Sequence, residues 1–258
     1  MESPDALIGA GELEPQPGRV AQTLRRWLMR TARVAAVESL SPYFRRVRLE
    51  GEELVDAAWE QGQKIQVAMG TGLSARTYTP ISWDNDRGAT DLLIFTHGDG
   101  PGSRWASRLR AGAACQFMGP RRSLDLVGFG TPLTLFGFGT PLTLFGDETS
   151  FALAVSLRAT LGGGLNSVFE VSDKVEAQSV LDAVGLGGAA LVERRPDDGH
   201  LEAATAALWR FADHGARFVL TGKAQSIQQA NRALRAGGVA PSRIKAKAYW
   251  APGKTGLD

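Results

Sequence analysis

The chain is poor in the residue types that define several kinds of active site. It has a single cysteine, Cys115, which excludes an intrachain disulfide, a Cys-x-x-Cys redox pair and a cysteine-ligated iron–sulfur cluster. Its three histidines, His97, His200 and His214, are far apart and lack metal-ligand spacing. We therefore expect no metal site built from the protein's own side chains.

The net charge of the chain is small, and its apolar runs are short. The formal net charge is only +2, so no global field favours nucleic acid or a membrane surface. No apolar run reaches the length of a membrane-spanning helix. The stretch "MESPDALIGAGELEPQPG" has acids instead of a basic leader region, and we expect a mobile tail at residues 1–18. These features predict a cytoplasmic protein, which we expect to be a monomer without nucleic-acid partners or membrane insertion.

The first half of the chain reads as short β-strands. Six runs between residues 33 and 127 are bounded by Gly, Pro and Asp or Asn clusters. They are "RVAAVESL", "FRRVRLEG", "QKIQVAMG", "ARTYTPISW", "TDLLIFTHG" and "AACQFMGP". Such a series predicts a small antiparallel barrel, interrupted by one helix at about residues 103–109.

The second half alternates strands with helices. After Phe145, helical patterns such as "TSFALAVSLRATL" and "GHLEAATAALWRFADH" alternate with strand patterns such as "NSVFEV" and "ARFVLTG". This order predicts βαβ units and a mostly parallel sheet of about five strands.

Nine residues occur twice without a substitution, at 128–136 and 137–145. Two short copies cannot stack into a repeat architecture. Only the second copy runs into "GDETS" and a helix, so residues 141–145 should form the first strand of the second domain. We interpret the duplication as an insertion without a catalytic role, forming a loop or short hairpin. The predicted organisation is a tail at 1–18, a barrel domain at 19–127, a linker at 128–140 and an α/β domain at 141–258.

The first candidate site is "RTYTPIS", residues 76–82, on a predicted barrel strand. Alternation would place Arg76, Tyr78 and Pro80 on one face and Thr77 and Thr79 on the other. A guanidinium suits a phosphate, a tyrosine ring can lie against a planar heterocycle, and a hydroxyl can bond a ring nitrogen or carbonyl. The combination fits a flavin cradle. The alternative is an ordinary strand with one exposed arginine and one packed tyrosine.

The second candidate site is "THGDGPGSRWASRL", which follows a strand and opens a helix. Gly100 and Gly102 allow close approach of the backbone, and Ser103 is the predicted N-cap. The amides at that helix start would bind a pyrophosphate. The alternative is a Gly-rich turn capped by serine, with His97 as an ordinary residue at the end of the strand.

Together these motifs resemble the siderophore-interacting protein family of the ferredoxin-reductase superfamily. "RTYTPIS" is similar to the flavin signature Arg-x-Tyr-(Ser/Thr)-x-x-Ser of that superfamily. "PYFRRVRLEGEEL", "HGDGPGSRWASRLRAGAACQFMGPRRSL", "LFGDETS" and "YWAPGK" resemble, in order, further segments of the narrower family. The resemblance implies an antiparallel Greek-key FAD-binding β-barrel followed by a Rossmann-like NAD(P)H-binding domain with a mostly parallel sheet.

The resemblance also assigns roles to individual residues. It implies that Arg76, Tyr78, Thr79 and Ser82 hold the flavin, and that His97, Gly102, Ser103 and Trp105 enclose the FAD pyrophosphate and adenine side. It places Asp147, Glu148 and Thr149 where the nicotinamide cofactor meets the flavin, with Tyr249 and Trp250 closing the aromatic side. The chain departs from the family after Tyr-Thr-x, where a basic residue is common but the next residues here are Pro80 and Ile81. It departs again at Lys223, where an acid is usual.

The activity implied is electron transfer from NADPH or NADH through FAD to a ferric siderophore, with release of Fe(II). Cofactors would carry this chemistry, so no catalytic side chain is predicted. Alternatives are another reductase of the superfamily that serves a ferredoxin or flavodoxin, and a flavin-free siderophore-binding module. The nucleotide stays open because Arg194 and Arg195 could read a 2′-phosphate or form a solvated charge pair, whereas Glu170 favours a free ribose hydroxyl.

An anionic ferric siderophore would be bound by basic residues. "RIKAKAYW" places Arg243, Lys245 and Lys247 on one face of a strand by alternation, and these are the predicted substrate-binding residues. The alternative is an edge strand that its lysines protect from aggregation.

Overall fold

The structure, a computed structural model, describes residues 29–70, 74–124, 126, 141–212 and 214–254. Within these residues the chain forms one antiparallel sheet and one parallel sheet. The predicted tail at 1–18 and residues 128–140, which include the first copy of the duplication, lie outside the described residues. The loop or hairpin expected there stays a prediction.

The first sheet contains seven strands. These are β1 (Arg30–Ser39), β2 (Phe44–Glu50), β3 (Lys64–Ala68), β4 (Ala75–Tyr78), β5 (Pro80–Asp84), β6 (Ala89–Phe95) and β7 (Ala114–Arg121). Their order is β4-β3-β7-β1-β2-β6-β5, with every pair antiparallel. Only Thr79 separates the two edge strands β4 and β5, so the sheet curls until its edges approach each other. The antiparallel barrel is confirmed, with seven strands instead of six because the run "ARTYTPISW" divides at Thr79.

Alternation of side chains builds the interior of the barrel. Along β2, Phe44, Val47 and Leu49 are buried, whereas the intervening arginines are partly or fully exposed. Val47 and Leu49 share their core with Ile65 and Val67 of β3. In this part of β2 a period of two thus gives one face for the core and one for solvent.

Helix α1 (Pro101–Arg108) follows β6 and begins two residues before the predicted start. The prediction that Ser103 is the N-cap is wrong, because Gly100 holds that position and Pro101 occupies the first helical turn, which suits proline. The Ser103 hydroxyl instead donates to the His97 carbonyl at 2.8 Å. That bond ties the helix start to the end of β6.

The second sheet has five strands, β8 (Leu142–Gly146), β9 (Leu165–Val171), β10 (Ala190–Glu193), β11 (Arg217–Lys223) and β12 (Ile244–Trp250). Four helices connect them, α2 (Phe151–Leu161), α3 (Lys174–Ala183), α4 (His200–Ala212) and α5 (Ala224–Ala236). All neighbouring strands are parallel, in the order β10-β9-β8-β11-β12. This confirms the predicted Rossmann-like sheet. The strand order reverses between β8 and β11, which is where such sheets open a crevice for ligands at the carboxyl ends of their strands.

Helix α2 lies between the two sheets and is apolar on nearly every side. It packs against β5 and β6 of the barrel and against β9 of the parallel sheet. The Phe151 ring lies 5.3 Å from Phe44 and 4.7 Å from Phe169, centroid to centroid. Because this core is continuous, the carboxyl end of β8 is held against the barrel. No helix in the described part of the chain is both long and apolar enough to cross a membrane.

Candidate functional site

A cleft of about 400 Å³ lies between the barrel and the carboxyl ends of β8 and β12. Ten of the thirteen residues predicted to bind cofactors line it. They are Arg76, Tyr78, Thr79, His97, Gly102, Ser103, Glu148, Thr149, Tyr249 and Trp250. The fold therefore brings together motifs that are distant in the sequence. We call residues 76–79 and 100–103 the barrel wall, and Glu148, Thr149, Tyr249 and Trp250 the sheet wall.

The barrel wall is formed by the edge of the sheet rather than by one strand face. All five residues from 75 to 79 line the cleft, which strict alternation would not allow. The predicted alternation across Thr79 and Pro80 is wrong, because the chain leaves the pairing with β3 at Tyr78 and joins β6 at Pro80. This break exposes backbone and side chains of consecutive residues to the cleft.

Tyr78 is held by the helix that follows β6. Its ring lies 5.7 Å from that of Trp105, centroid to centroid. Trp105 does not line the cleft but supports Tyr78 from behind. Burial raises the pKa of Tyr78, so its phenol stays protonated and can donate a hydrogen bond. A Cβ at Gly102 would come within 2.8 Å of the Tyr78 hydroxyl, so only glycine leaves room for this contact.

Arg76 and the start of α1 form a site suited to an anion. Arg76 donates to the neighbouring Ala75 carbonyl at 2.7 Å, and no carboxylate of the described residues lies within 4 Å of its guanidinium. Helix α1 has no side-chain cap and no acidic residue in its first turn. The free amides and the dipole at a helix N-terminus favour negative charge. A phosphate in the cleft would therefore find both a guanidinium and helix amides.

His97 contributes a neutral ring at the mouth of this wall. It stacks on Phe95 with centroids 4.8 Å apart. Desolvation lowers the pKa of His97, with Glu148 acting in the opposite direction. A neutral imidazole can both donate and accept a hydrogen bond, and this suits contact with a polar ligand better than charge neutralisation. The described residues contain no group of three or more His, Cys, Asp or Glu side chains placed to hold a metal ion.

Ser82 lies away from the cleft. Its hydroxyl donates to Asp91 at 3.1 Å, and Asp91 also pairs with Arg46 and Arg48. The expectation that Ser82 binds a cofactor is not supported by this placement. The pairing of β5 with β6 shifts in register between Pro80 and Ser82. Ser82 therefore does not continue the face predicted for Arg76, Tyr78 and Pro80.

The charges of the sheet wall are neutralised by the protein itself. Both carboxylate oxygens of Glu148 contact Nη2 of Arg194, at 2.7 and 2.6 Å, and the Ser172 amide donates to Glu148 at 2.6 Å. Arg194 is therefore neither a solvated charge nor a free group for a 2′-phosphate. Sequence reasoning missed this pair because its members lie 46 residues apart.

Tyr249 and Trp250 are consecutive, yet both line the cleft. The β11–β12 register explains this, because Gly222 pairs with Ala248 and Lys223 with Trp250, which leaves Tyr249 as an extra residue. Lys64 of β3, which was not predicted, lies over the Tyr249 ring with Nζ 3.5 Å from the centroid. A lysine directly before the alternating apolar residues Ile65 and Val67 was the available signal, since buried lysines are rare.

The basic residues predicted to bind the substrate, Arg243, Lys245 and Lys247, do not line the cleft. Arg243 donates to the carbonyls of Ala212 and Ala216, at 3.0 and 2.6 Å, so it holds the chain together instead of facing a substrate. Lys245 and Lys247 are half-buried on β12 and do not line the cleft. Lys64 and Lys254 do line it.

Glu170 does not face the nucleotide crevice, contrary to expectation. It is 1% exposed and accepts hydrogen bonds from His200 and Ser226, each at 2.9 Å. The carboxylate lies between β9, α4 and α5, so it cannot report on a ribose hydroxyl. Lys223, the other departure from the family pattern, pairs with Asp198 at 3.1 Å.

The barrel and the Rossmann-like sheet together form a fold that solved structures of other proteins share. A variant of ferredoxin-NADP+ reductase from Plasmodium falciparum has this fold with a TM-score of 0.63 and 11% identity, covering 85% of this chain and 95% of that one. Residues 66–124 match the model of the siderophore-interacting FAD-binding domain. This match confirms, over these residues, the family resemblance that the motifs predicted.

Two further structures carry related names. A siderophore utilization protein from T. fusca superposes with a TM-score of 0.68 and 21% identity over 89% of this chain and 95% of that chain. The siderophore-interacting protein SipS from Aeromonas hydrophila gives a TM-score of 0.66 and 20% identity over 88% and 93%. At this identity the superpositions show a common fold. None of the curated protein sequences compared with the chain matches it.

Proposed function

We propose that the chain is a flavin-dependent reductase that passes electrons from NADPH or NADH through FAD to a ferric siderophore. The observation that carries the proposal is the barrel wall, where an uncapped helix start, a half-buried tyrosine and Arg76 face one cleft. Arg76 has no carboxylate partner among the described residues. The match of residues 66–124 to a siderophore-interacting FAD-binding domain supports it.

The residues present fit FAD. Gly102 lets the Tyr78 hydroxyl and the Arg76 side chain lie against the start of α1, where a Cβ would come within 2.8 Å of that hydroxyl. Arg76 and the α1 amides would bind the phosphates, and Tyr78 with Thr79 would hold the ring system and ribityl chain. When bound, FAD supplies the conversion between two-electron transfer from a nicotinamide and one-electron transfer to iron. The sheet wall would orient the nicotinamide end of the cleft and exclude water from it.

The substrate proposal rests on charge and on coordination chemistry. Siderophores use hard oxygen donors that favour Fe(III) over Fe(II), so reduction loosens the complex. Lys64 and Lys254 in the cleft, with Lys245 and Lys247 on β12, would attract an anionic complex. Iron is the cargo here and needs no resident site.

An anaerobic assay tests this function. FAD-loaded protein is mixed with NADPH or NADH, a ferric siderophore and a ferrous chelator, with a no-enzyme control. We expect a ferrous signal well above that control. Flavin reduction without a ferrous signal would instead indicate a reductase for a ferredoxin or flavodoxin. A colourless protein that takes up no FAD would overturn the enzyme proposal.

A further inference from the structure

Two adjacent carboxylates at the end of β8 have different surroundings. Glu148 pairs with Arg194, as described above. Asp147 is 1% exposed, and within the described residues no lysine, arginine or histidine nitrogen lies within 4 Å of its carboxylate. Buried carboxylates are costly unless their oxygens accept strong hydrogen bonds. The groups that donate hydrogen bonds to Asp147 therefore indicate its role.

Asp147 accepts bonds from two neighbouring elements. One oxygen accepts from the amide and hydroxyl of Thr149, with the amide at 2.9 Å. The other accepts from the indole Nε1 of Trp250 at 2.7 Å, across 103 residues of sequence. The bond therefore joins the end of β8 to the end of β12.

The backbone of β11 is shaped to admit this carboxylate. Gly222 has a φ of +98°, and a Cβ built there would lie 2.6 Å from Oδ2 of Asp147. A side chain at this position would displace the oxygen that holds Trp250. The carboxyl ends of β8, β11 and β12 thus form one enclosure around Asp147.

We propose that Asp147 is a positioning residue that fixes the Trp250 indole as part of the sheet wall. An indole N–H can only donate, so it needs an acceptor, and a carboxylate provides a stronger one than a neutral group. Burial raises the pKa of Asp147 to about 6, which fits a carboxylate held among neutral donors. The ring is kept in place before any ligand arrives. The effect on nucleotide binding rests on the proposed function, whereas the bond itself does not.

The bond can be tested in the protein without FAD, from its indole N–H resonances in a nitrogen-15 correlation spectrum. The Trp250 resonance is assigned by its absence in Trp250→Phe. In Asp147→Asn we expect this resonance to move upfield and its exchange with water to become about tenfold faster, because a charge-assisted bond is replaced by a weaker one. Asp182→Asn, a matched change on α3 outside the cleft, should leave it unmoved. An unchanged Trp250 resonance in Asp147→Asn would overturn the proposal.

A kinetic measurement separates positioning from a merely structural bond. Asp147→Asn and Trp250→Phe should each raise the KM for the nucleotide about three- to tenfold with less than a twofold change in kcat, since the wall must be ordered during binding. The double variant should resemble either single one. If Asp147→Asn fails to fold, Trp250→Phe alone carries the test, and an unchanged KM overturns the positioning role. A protein that takes up no FAD contradicts the proposed function but leaves the indole measurement valid.

Discussion

The two walls of the cleft use charge in opposite ways. On the barrel wall, Arg76 donates to a neighbouring carbonyl and has no carboxylate within 4 Å in the described part of the chain, and the amides that begin α1 have no side-chain cap. On the sheet wall, Glu148 is neutralised by Arg194 and Asp147 accepts from Trp250. The barrel wall is therefore prepared for a ligand's negative charge, whereas the sheet wall is complete without a ligand. This difference predicts that damage to the barrel wall weakens FAD binding, whereas loss of the Glu148–Arg194 pair behind the sheet wall lowers the free energy of unfolding.

The largest effect is expected for Glu148→Gln, which removes the charge opposite Arg194 on the sheet wall. Breaking a buried ion pair costs about 3 kcal/mol of unfolding free energy, somewhat less here because Arg194 is partly exposed. Denaturant titration measures this loss, and FAD affinity of the folded fraction should change less than about threefold. Glu193→Gln, on an exposed strand residue, is the control. Equal stability of the two variants would show that the pair does not support the wall.

Arg76→Ala should show the opposite behaviour. Loss of charge-assisted bonds to a phosphate is worth about 2 kcal/mol, or roughly thirtyfold in the FAD dissociation constant. The free energy of unfolding should stay within about 0.5 kcal/mol, because Arg76 forms no ion pair with any residue that the structure describes. Titration with FAD, followed by flavin fluorescence, measures the affinity, with the exposed Arg87→Ala as control. Retention of wild-type affinity would remove Arg76 from the cradle.

Gly102→Ala tests whether close packing on the barrel wall is needed for FAD binding. The new Cβ would lie 2.8 Å from the Tyr78 hydroxyl and 3.4 Å from Cγ of Arg76, so both side chains must shift. We expect FAD affinity to fall about three- to tenfold, since overpacking of this kind costs about 1 kcal/mol or more. Gly188→Ala has open space around its Cβ and is the matched control. Equal affinities of the two variants would mean that the ligand does not depend on this contact.

The smallest effect is expected from deleting residues 128–136. The second copy of the duplicated segment and the Gly146 that follows it still supply the residues of β8, so neither wall loses a member. We predict unchanged FAD affinity and a melting temperature close to that of the full chain. Loss of folding or of FAD binding would show that the inserted copy is part of the structure.

The periodicity of apolar residues predicted the architecture, and the order of the motifs predicted most of the residues that line the cleft. Neither could predict contacts between residues that are distant in the sequence. The strands and helices fall close to their predicted runs because apolar spacing and Gly or Pro boundaries are local signals. Alternation failed at Thr79 and Tyr249, where a strand break and an extra residue interrupt the period of two. The roles of Arg194, Arg243 and Glu170 depend on partners that only the packed fold brings near.

The central claim is that the cleft holds a flavin between a phosphate-binding barrel wall and a prebuilt sheet wall that receives the nicotinamide. The most direct test is to saturate the purified protein with FAD, remove the excess and add NADPH or NADH without oxygen, while recording the visible absorbance of the flavin. We predict one FAD per chain and bleaching of its absorbance by at least one of the two nucleotides. Failure to retain FAD, or a retained flavin that neither nucleotide bleaches, would contradict the account.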